Sequence, residues 1–312
     1  MPSVATLLKG LTLATSVYAV DPAAVYDGGY SSATDVLLRI GNGGAGQSGL
    51  IEVLANAFIK YSVSNGADPF KVAWYKSDTT ESINYLKAGT VDIGITYTPP
   101  AEKIAIDQGI AKSPAWYAWR DHFLLVGPQS NPANLSESED ISTMFSNIFA
   151  AAEAGNTDPP VRFLTRYDKS ATHIKDSQLW IGIGQVPWGT AYSKWYHQYI
   201  AYPIQALTAA ILLKEYTITD RGTYLSISTE LQKQTTIYKA ATDEASDPLL
   251  NPAHMLVGKN AKNYETADQF VQWVISDEGQ GVITEFKKNG QQLYTEAPDN
   301  KTAPYFTLKS EI

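Results

Sequence analysis

The stretch that decides the fold is Asp35 to Tyr61, DVLLRIGNGGAGQSGLIEVLANAFIKY. Asp35 to Ile40 is a short apolar run that stops at a glycine-rich segment, Gly41 to Gly49. Helical periodicity follows at once: Leu50, Val53, Leu54, Ala57, Phe58 and Tyr61 fall at i, i+3, i+4, i+7, i+8 and i+11, one apolar stripe of an amphipathic helix. This is strand, glycine loop, helix. Phe70 to Tyr75 reads as the next strand, and Ser77-Asp78 can cap a helix running through Ile83 and Leu86 to Gly89. Val91 to Thr96 is a third strand. The order β-α-β-α-β predicts an open, mainly parallel sheet covered by helices.

Farther along, His122 to Val126 is an apolar strand closed by Gly127-Pro128, with a loop at Ser130-Asn131-Pro132, so a lobe crossing is expected there. A second lobe then needs its own helices and strands. They are predicted at Ile141 to Phe149 (helix), Val161 to Thr165 (strand), from Ser170 (helix), Tyr202 to Glu215 with Pro203 in the first turn (helix) and Tyr216 to Thr219 (strand). Leu249 to Pro252 followed by Met255-Leu256-Val257 suggests the return crossing. Helices around Phe270-Trp273-Val274 and Val282-Ile283-Phe286 then rejoin the first lobe. The expected division is a signal peptide at 1–19, lobe one at 36–126 plus 255–312, and lobe two at 127–254. The fold class expected is α/β, two lobes with a ligand cleft between them.

The bulk properties narrow the function. With 312 residues and 44% apolar content the chain can bury substantial cores. Charged residues make up 18% and the net charge of −8 is dispersed, which excludes the basic footprint of a nucleic-acid binder. A monomer with a small partner is expected. No apolar run reaches the roughly 20 residues that span a bilayer, since Leu207 to Leu213 is bounded by Gln205 and Lys214-Glu215. Lys9, the weakly apolar Gly10 to Ala14 and the small-residue spacing at Val17 and Ala19 read as a secretory signal, placing the mature protein outside the cell, or in the periplasm of a bacterium. The sequons at Asn134 and Asn300 fit a secreted chain. There is no cysteine, hence no disulfide and no lipid-anchor thiol.

Three segments could carry chemistry. In Gly41 to Gly49, glycine amides at a helix start can approach an anion, and Gln47 and Ser48 add side-chain donors. The segment lacks a P-loop lysine and dinucleotide-type glycine spacing, and a plain structural turn is an equally good account. In Arg166 to His173, Arg166 offers a planar fork of donors, Lys169 a second charge, and Ser170 a cap for a helix whose free amides include Thr172. An Arg166–Asp168 surface pair is the plain alternative. Thr219 to Tyr224 reads most simply as a polar turn, and the aromatic run Trp188, Tyr192, Trp195, Tyr196, Tyr199 and Tyr202 as core, with a stacking platform as the other option. His122, His173, His197 and His254 are scattered without a zinc motif, and no Gly-x-Ser-x-Gly elbow is present, so neither a metal, a cofactor nor catalysis is expected.

Eight segments, in order, carry a family resemblance: Leu38-Arg39-Ile40 with Ser48-Gly49-Leu50; Val91 to Pro99 with Glu102-Lys103; Asp121 to Pro128 with Asn131-Pro132-Ala133; Phe163 to Arg166 through Thr172-His173; Leu179-Trp180; Tyr216 to Leu225; Leu250-Asn251-Pro252; and Trp273 to Gln280. Together they resemble the tungstate-binding proteins of bacterial ABC importers, within the wider class of periplasmic-type (type II) oxyanion-binding proteins. The resemblance implies two α/β lobes that close on a hinge and hold a small oxyanion or other anionic solute between the first glycine loop and the Arg-containing loop. It points to Asn42, Gly43, Gly44, Gln47 and Ser48 in lobe one and to Arg166, Ser170 and Thr172 in lobe two as ligand-binding residues; Lys169, a positive charge where the tungstate binders carry acidic residues, joins them as a candidate from the reading of the loop itself. Importers of this kind pair the binding protein with a membrane permease, which the sequence does not identify. Where the tungstate binders carry a run of hydroxyls in the first loop, this chain has Asn42 to Gln47, so discrimination between tungstate and molybdate is expected to be weak, within about an order of magnitude in affinity. The alternative weighed is a secreted recognition module of the same fold, with an organic ligand stacked on Trp188 or Trp195.

Overall fold

The computed structural model describes residues 20–303; the expected signal peptide at 1–19 lies outside the described residues. Lobe one opens with β1 (Ala24–Tyr26), β2 (Val36–Asn42), α1 (Gly44–Ser48), α2 (Leu50–Ser64), β3 (Lys71–Lys76), α3 (Thr79–Ala88), β4 (Ile93–Thr96) and α4 (Pro99–Asp107). The long β5 (Trp116–Pro128) leads into lobe two: α5 (Ile141–Ala154), β6 (Phe163–Thr165), α6 (Ala171–Gly182), β7 (Tyr196–Gln198), α7 (Pro203–Leu213), β8 (Thr217–Asp220), α8 (Arg221–Ser226), α9 (Thr229–Gln232) and β9 (Thr235–Ala240). Then β10 (Leu250–Val257) returns, followed by α10 (Tyr264–Val274), α11 (Asp277–Glu285), the hairpin β11 (Lys287–Lys288) and β12 (Gln291–Gln292), and β13 (Thr295–Glu296).

Local chemistry sets the helix starts. Asp78 accepts from the Glu81 amide while Glu81 reaches back to the Asp78 amide, a full capping box, and Gly89 ends α3 at φ 68°. Ser170 caps α6 and Asp140 caps α5 through their side chains. The periodicity of α2 is confirmed but its inward face is rotated. Leu50, Leu54 and Phe58 are buried as expected, together with Ile51, Ala55 and Ile59, whereas Val53 and Tyr61 are 38% and 39% exposed. Two apolar diagonals share the same middle row, and packing of α10 and α11 on α2 selects the one containing Ile51 and Ile59. Each fully buried Leu, Ile or Phe side chain contributes about 1.5–3 kcal/mol.

In lobe one β2 pairs in parallel with β3 and β4, as the β-α-β-α-β order predicts. The whole sheet is mixed, because β5 leaves for lobe two and β10 returns beside it, and two such strands must run antiparallel. Its order is β1-β3-β2-β4-β10-β5-β13, with β8 and β9 paired to the far half of β5. The partner of β5 changes between His122, which faces Leu250, and Phe123, which faces Asp220. That exchange comes before Gly127, where the lobe boundary was expected, because the apolar run beyond His122 already belongs to lobe two. Trp119, Phe58 and Phe270 pack the first core, and Phe123, Phe145, Phe163 and Trp180 pack the second.

Candidate functional site

The residues that line the main interlobe cavity come from the ends of strands and the starts of helices, and from both lobes. Its volume is about 400 Å³. Lobe one contributes Gly43, Gly44 and Gln47 from the β2–α1 turn, Lys76 to Thr79 and Glu81 from the β3–α3 turn, and Ile95 and Tyr97 at the end of β4. Lobe two contributes Arg166, Asp168 and Ser170 to Thr172 from the β6–α6 turn, Ile200 to Pro203 ahead of α7, and Asp220 at the end of β8. The floor is Asp121 and Phe123 of β5 with Asn251 of β10, the two strands that join the lobes. Three helices of ten or more residues, α3, α6 and α7, therefore begin at this cavity. Their unpaired N–H groups and dipoles favour negative charge there.

Six of the nine residues expected to bind ligand line the cavity: Gly43, Gly44, Gln47, Arg166, Ser170 and Thr172. The other three stand elsewhere. Asn42 is fully buried as a brace: its Nδ2 donates to the Ile95 carbonyl (3.1 Å), its Oδ1 accepts from the Gly46 amide (2.8 Å), and its carbonyl accepts from Trp74 Nε1 (2.9 Å). The Ser48 hydroxyl donates to the Ala45 carbonyl at 2.9 Å and lies 2.8 Å from the Tyr294 hydroxyl, bordering only a smaller space of about 100 Å³. Lys169 is exposed and borders a shallow surface hollow with Tyr167 and His173. The stacking alternative fails on position, since Trp195 is buried with its Nε1 donating to Glu153 and Trp188 packs on the lobe-two core. Neither lines the main cavity.

The glycines of the first loop divide by what surrounds them. A Cβ on Gly46 would stand 2.1 Å from the Trp74 ring and one on Gly43 2.7 Å from the Ser77 carbonyl, whereas one on Gly44 meets nothing within 4 Å. Gly46→Ala is therefore expected to lower stability by about 1–3 kcal/mol through overpacking. Gly44→Ala should stay within about 0.5 kcal/mol of the parent in urea denaturation. Equal stabilities would mean that Trp74 yields to the added methyl.

Electrostatics complicate the site. Arg166 is 11% exposed in its side chain; its Nη2 donates to Asp168 Oδ2 (2.6 Å) and its Nε to the Ala201 carbonyl (3.1 Å). Lys76 and Arg166 are the cations of the lining, against Asp78, Glu81, Asp121, Asp168 and Asp220. Most of these carboxylates are compensated locally. Asp78 and Glu81 share the α3 capping box, Asp168 pairs with Arg166, and Asp220 caps α8 through the Thr223 amide and hydroxyl. Asp121 is different. It is 5% exposed, accepts from the His122 amide and Asn251 Nδ2 (both 2.8 Å), and has no paired cation among the described residues. Burial first, and then the charge of Asp220, push its carboxyl well above the usual range. Burial likewise raises Tyr97 and Tyr294.

Sequence reasoning missed Asp121, Asp220, Asn251, Lys76 and Tyr202 as lining residues. Asp220 lay in a segment read as a polar turn and Asp121 at the edge of an apolar strand. Tyr202 had a signal, the aromatic run, and its ring meets Lys76 across the lobes, with Nζ 3.3 Å from the ring centroid. Among the described residues no three His, Cys, Asp or Glu side chains are grouped to hold a metal ion, and no helix is long and apolar enough to cross a membrane.

A family model described as a PBP superfamily domain matches residues 28–278. A solved structure described provisionally as a periplasmic metal-binding protein is 66% identical, with a TM-score of 0.83 over 88% of this chain and 99% of that one. The tungstate-binding protein TupA of Peptoclostridium acidaminophilum is 27% identical over 80% of this chain and 81% of its own length. A protein of Haloferax volcanii, provisionally named as an ABC transporter anion-binding protein, is 28% identical over 72% of this chain, and the match spans only 63% of that relative.

Proposed function

The chain belongs to the PBP superfamily, and on that premise we propose that it is a solute-binding protein that captures a small anion between its lobes. The observation that carries this reading is the convergence of three helix starts, the glycine amides and Arg166 on one interlobe cavity. The names of the relatives, tungstate-binding and anion-binding, support it. The protein works outside the cytoplasm and delivers its solute to a membrane permease rather than transforming it. Lobe two runs from the far half of β5, beyond His122, to the start of β10, lobe one comprises the described residues on either side of it, and the hinge lies in β5 and β10, the two strands that join the lobes. Lobe closure brings Lys76 onto Tyr202 across the cleft mouth.

Calorimetric titration with tungstate, molybdate, sulfate and phosphate tests the reading, and heat from none of them would refute it for oxyanions. The pH profile for tungstate adds a sign. A bound anion disfavours a second negative charge beside it, so it binds better while Asp121 is neutral. The Asp121 pKa in the free site is raised above the ordinary value of about 3.9. Affinity should hold below that raised pKa and fall as pH rises through it, by up to about tenfold per pH unit. Asp121→Asn should flatten the profile. A flat profile in the parent would remove Asp121 from the anion's neighbourhood.

A further inference from the structure

A cavity built only for a tetrahedral oxyanion has no use for its floor. At about 400 Å³ it falls within the roughly 300–1,000 Å³ of sites for organic ligands, and Ile95, Phe123 and Ile200 give it apolar walls. Opposite the amide-bearing turns stand Asp121, Asp220 and Asn251, which line the same space from β5, β8 and β10. Each Asp121 oxygen has one donor, from the His122 amide and from Asn251 Nδ2, which leaves accepting capacity on both. Among the described residues Asp220 accepts from the Thr223 amide and hydroxyl. Once Asp121 is ionised, a bare oxyanion near this floor meets acceptors with acceptors. A ligand that carries its own donor satisfies them.

Resting on the anion-capture reading above, we propose that the ligand is an organic anion that also bears a hydroxyl or ammonium group, its anionic end held by the Gly43–Gly44 and Ser170–Thr172 turns and its donor by Asp121 and Asp220. Such a ligand uses both halves of the cavity. It also gives the buried Asp121 a partner, and hydrogen bonds to charged groups are the ones whose loss is felt most in a buried site.

The test is calorimetric titration with succinate, malate and aspartate, which share one frame and differ by hydrogen, hydroxyl and ammonium, with glycerol 3-phosphate against propyl phosphate as a second frame and tungstate as the plain oxyanion. Malate, aspartate or glycerol 3-phosphate should bind at least tenfold more tightly than its donor-free counterpart. Asp121→Asn should erase the preference, and so should Asp220→Asn, which retains a side chain able to cap α8 if the buried Asp121 variant does not fold. An ammonium preference lost in both variants and a hydroxyl preference only reduced would identify the donor as charged. Equal binding within each frame, or binding of tungstate alone, overturns this inference and leaves anion capture standing. Failure of every anion, tungstate included, overturns both.

Discussion

Arg166→Ala is expected to weaken tungstate binding by about a hundredfold or more, while Lys169→Ala changes it by no more than a few-fold. Two effects add in the arginine variant. The guanidinium lines the cavity and its loss removes charge-assisted hydrogen bonds to the anion, each worth about 1.5–3 kcal/mol. Asp168, which Arg166 now holds at 2.6 Å, is then left facing the bound anion without its counter-charge. Truncating one member of such a pair costs about 2–5 kcal/mol in binding, much of it from the stranded partner. Lys169 is exposed and outside the cavity, where solvent and salt screen its charge. Arg166→Ala with Asp168→Ala should recover part of the loss, because the repulsive carboxylate leaves as well. Titration calorimetry on all three variants, with circular dichroism to confirm the fold, makes the comparison. Equal small losses for Arg166→Ala and Lys169→Ala would take Arg166 out of the site.

Glu102→Leu is expected to cost about 3–5 kcal/mol of folding stability although it lies outside the cavity. Glu102 on α4 and His254 on β10 are both completely buried, with Oε2 2.7 Å from Nδ1. Their contact is close without the alignment of a good hydrogen bond, and His254 Nε2 has no hydrogen-bond partner among the described residues. The other carboxylate oxygen accepts from the Thr96 hydroxyl (2.8 Å) and the Thr98 amide (3.0 Å), fastening the end of β4 to α4. Removing the carboxylate alone strands all three groups. The double variant Glu102→Leu/His254→Leu should be less damaging than the sum of the single changes, with a coupling of about 0.5–3 kcal/mol, since it replaces both buried polar groups with apolar ones. Urea denaturation measures the cycle. A single-variant cost below about 1 kcal/mol would show that the pair contributes little beyond filling space.

The elements of lobe one could be read from the chain because their signals are local. The glycine stop after Ile40, the stripe that begins at Leu50 and the Asp78 cap each involve residues within a few positions of one another. The Arg166–Asp168 pair and the Ser170 cap were legible for the same reason. That Asn42 and Ser48 turn away from the main cavity could not be read there, because their partners, Ile95 and Tyr294, stand on elements far along the chain. No pattern within the loop distinguishes an asparagine that meets a ligand from one that braces the neighbouring strand.

What the sequence by itself determined is the succession of strands, turns and helix starts, the two lobes, and the resemblance that placed an anion between them. Backbone propensity, capping and apolar periodicity act over a few residues, so they are written in the local order of the chain. Only the tertiary structure decided which face of α2 is inward, where β5 passes from one lobe to the other, and that Asp121, Asp220 and Asn251 meet on one floor. Those outcomes depend on strand register and on the packing of α10 and α11, contacts between distant segments whose free energy exists only once both lobes are assembled.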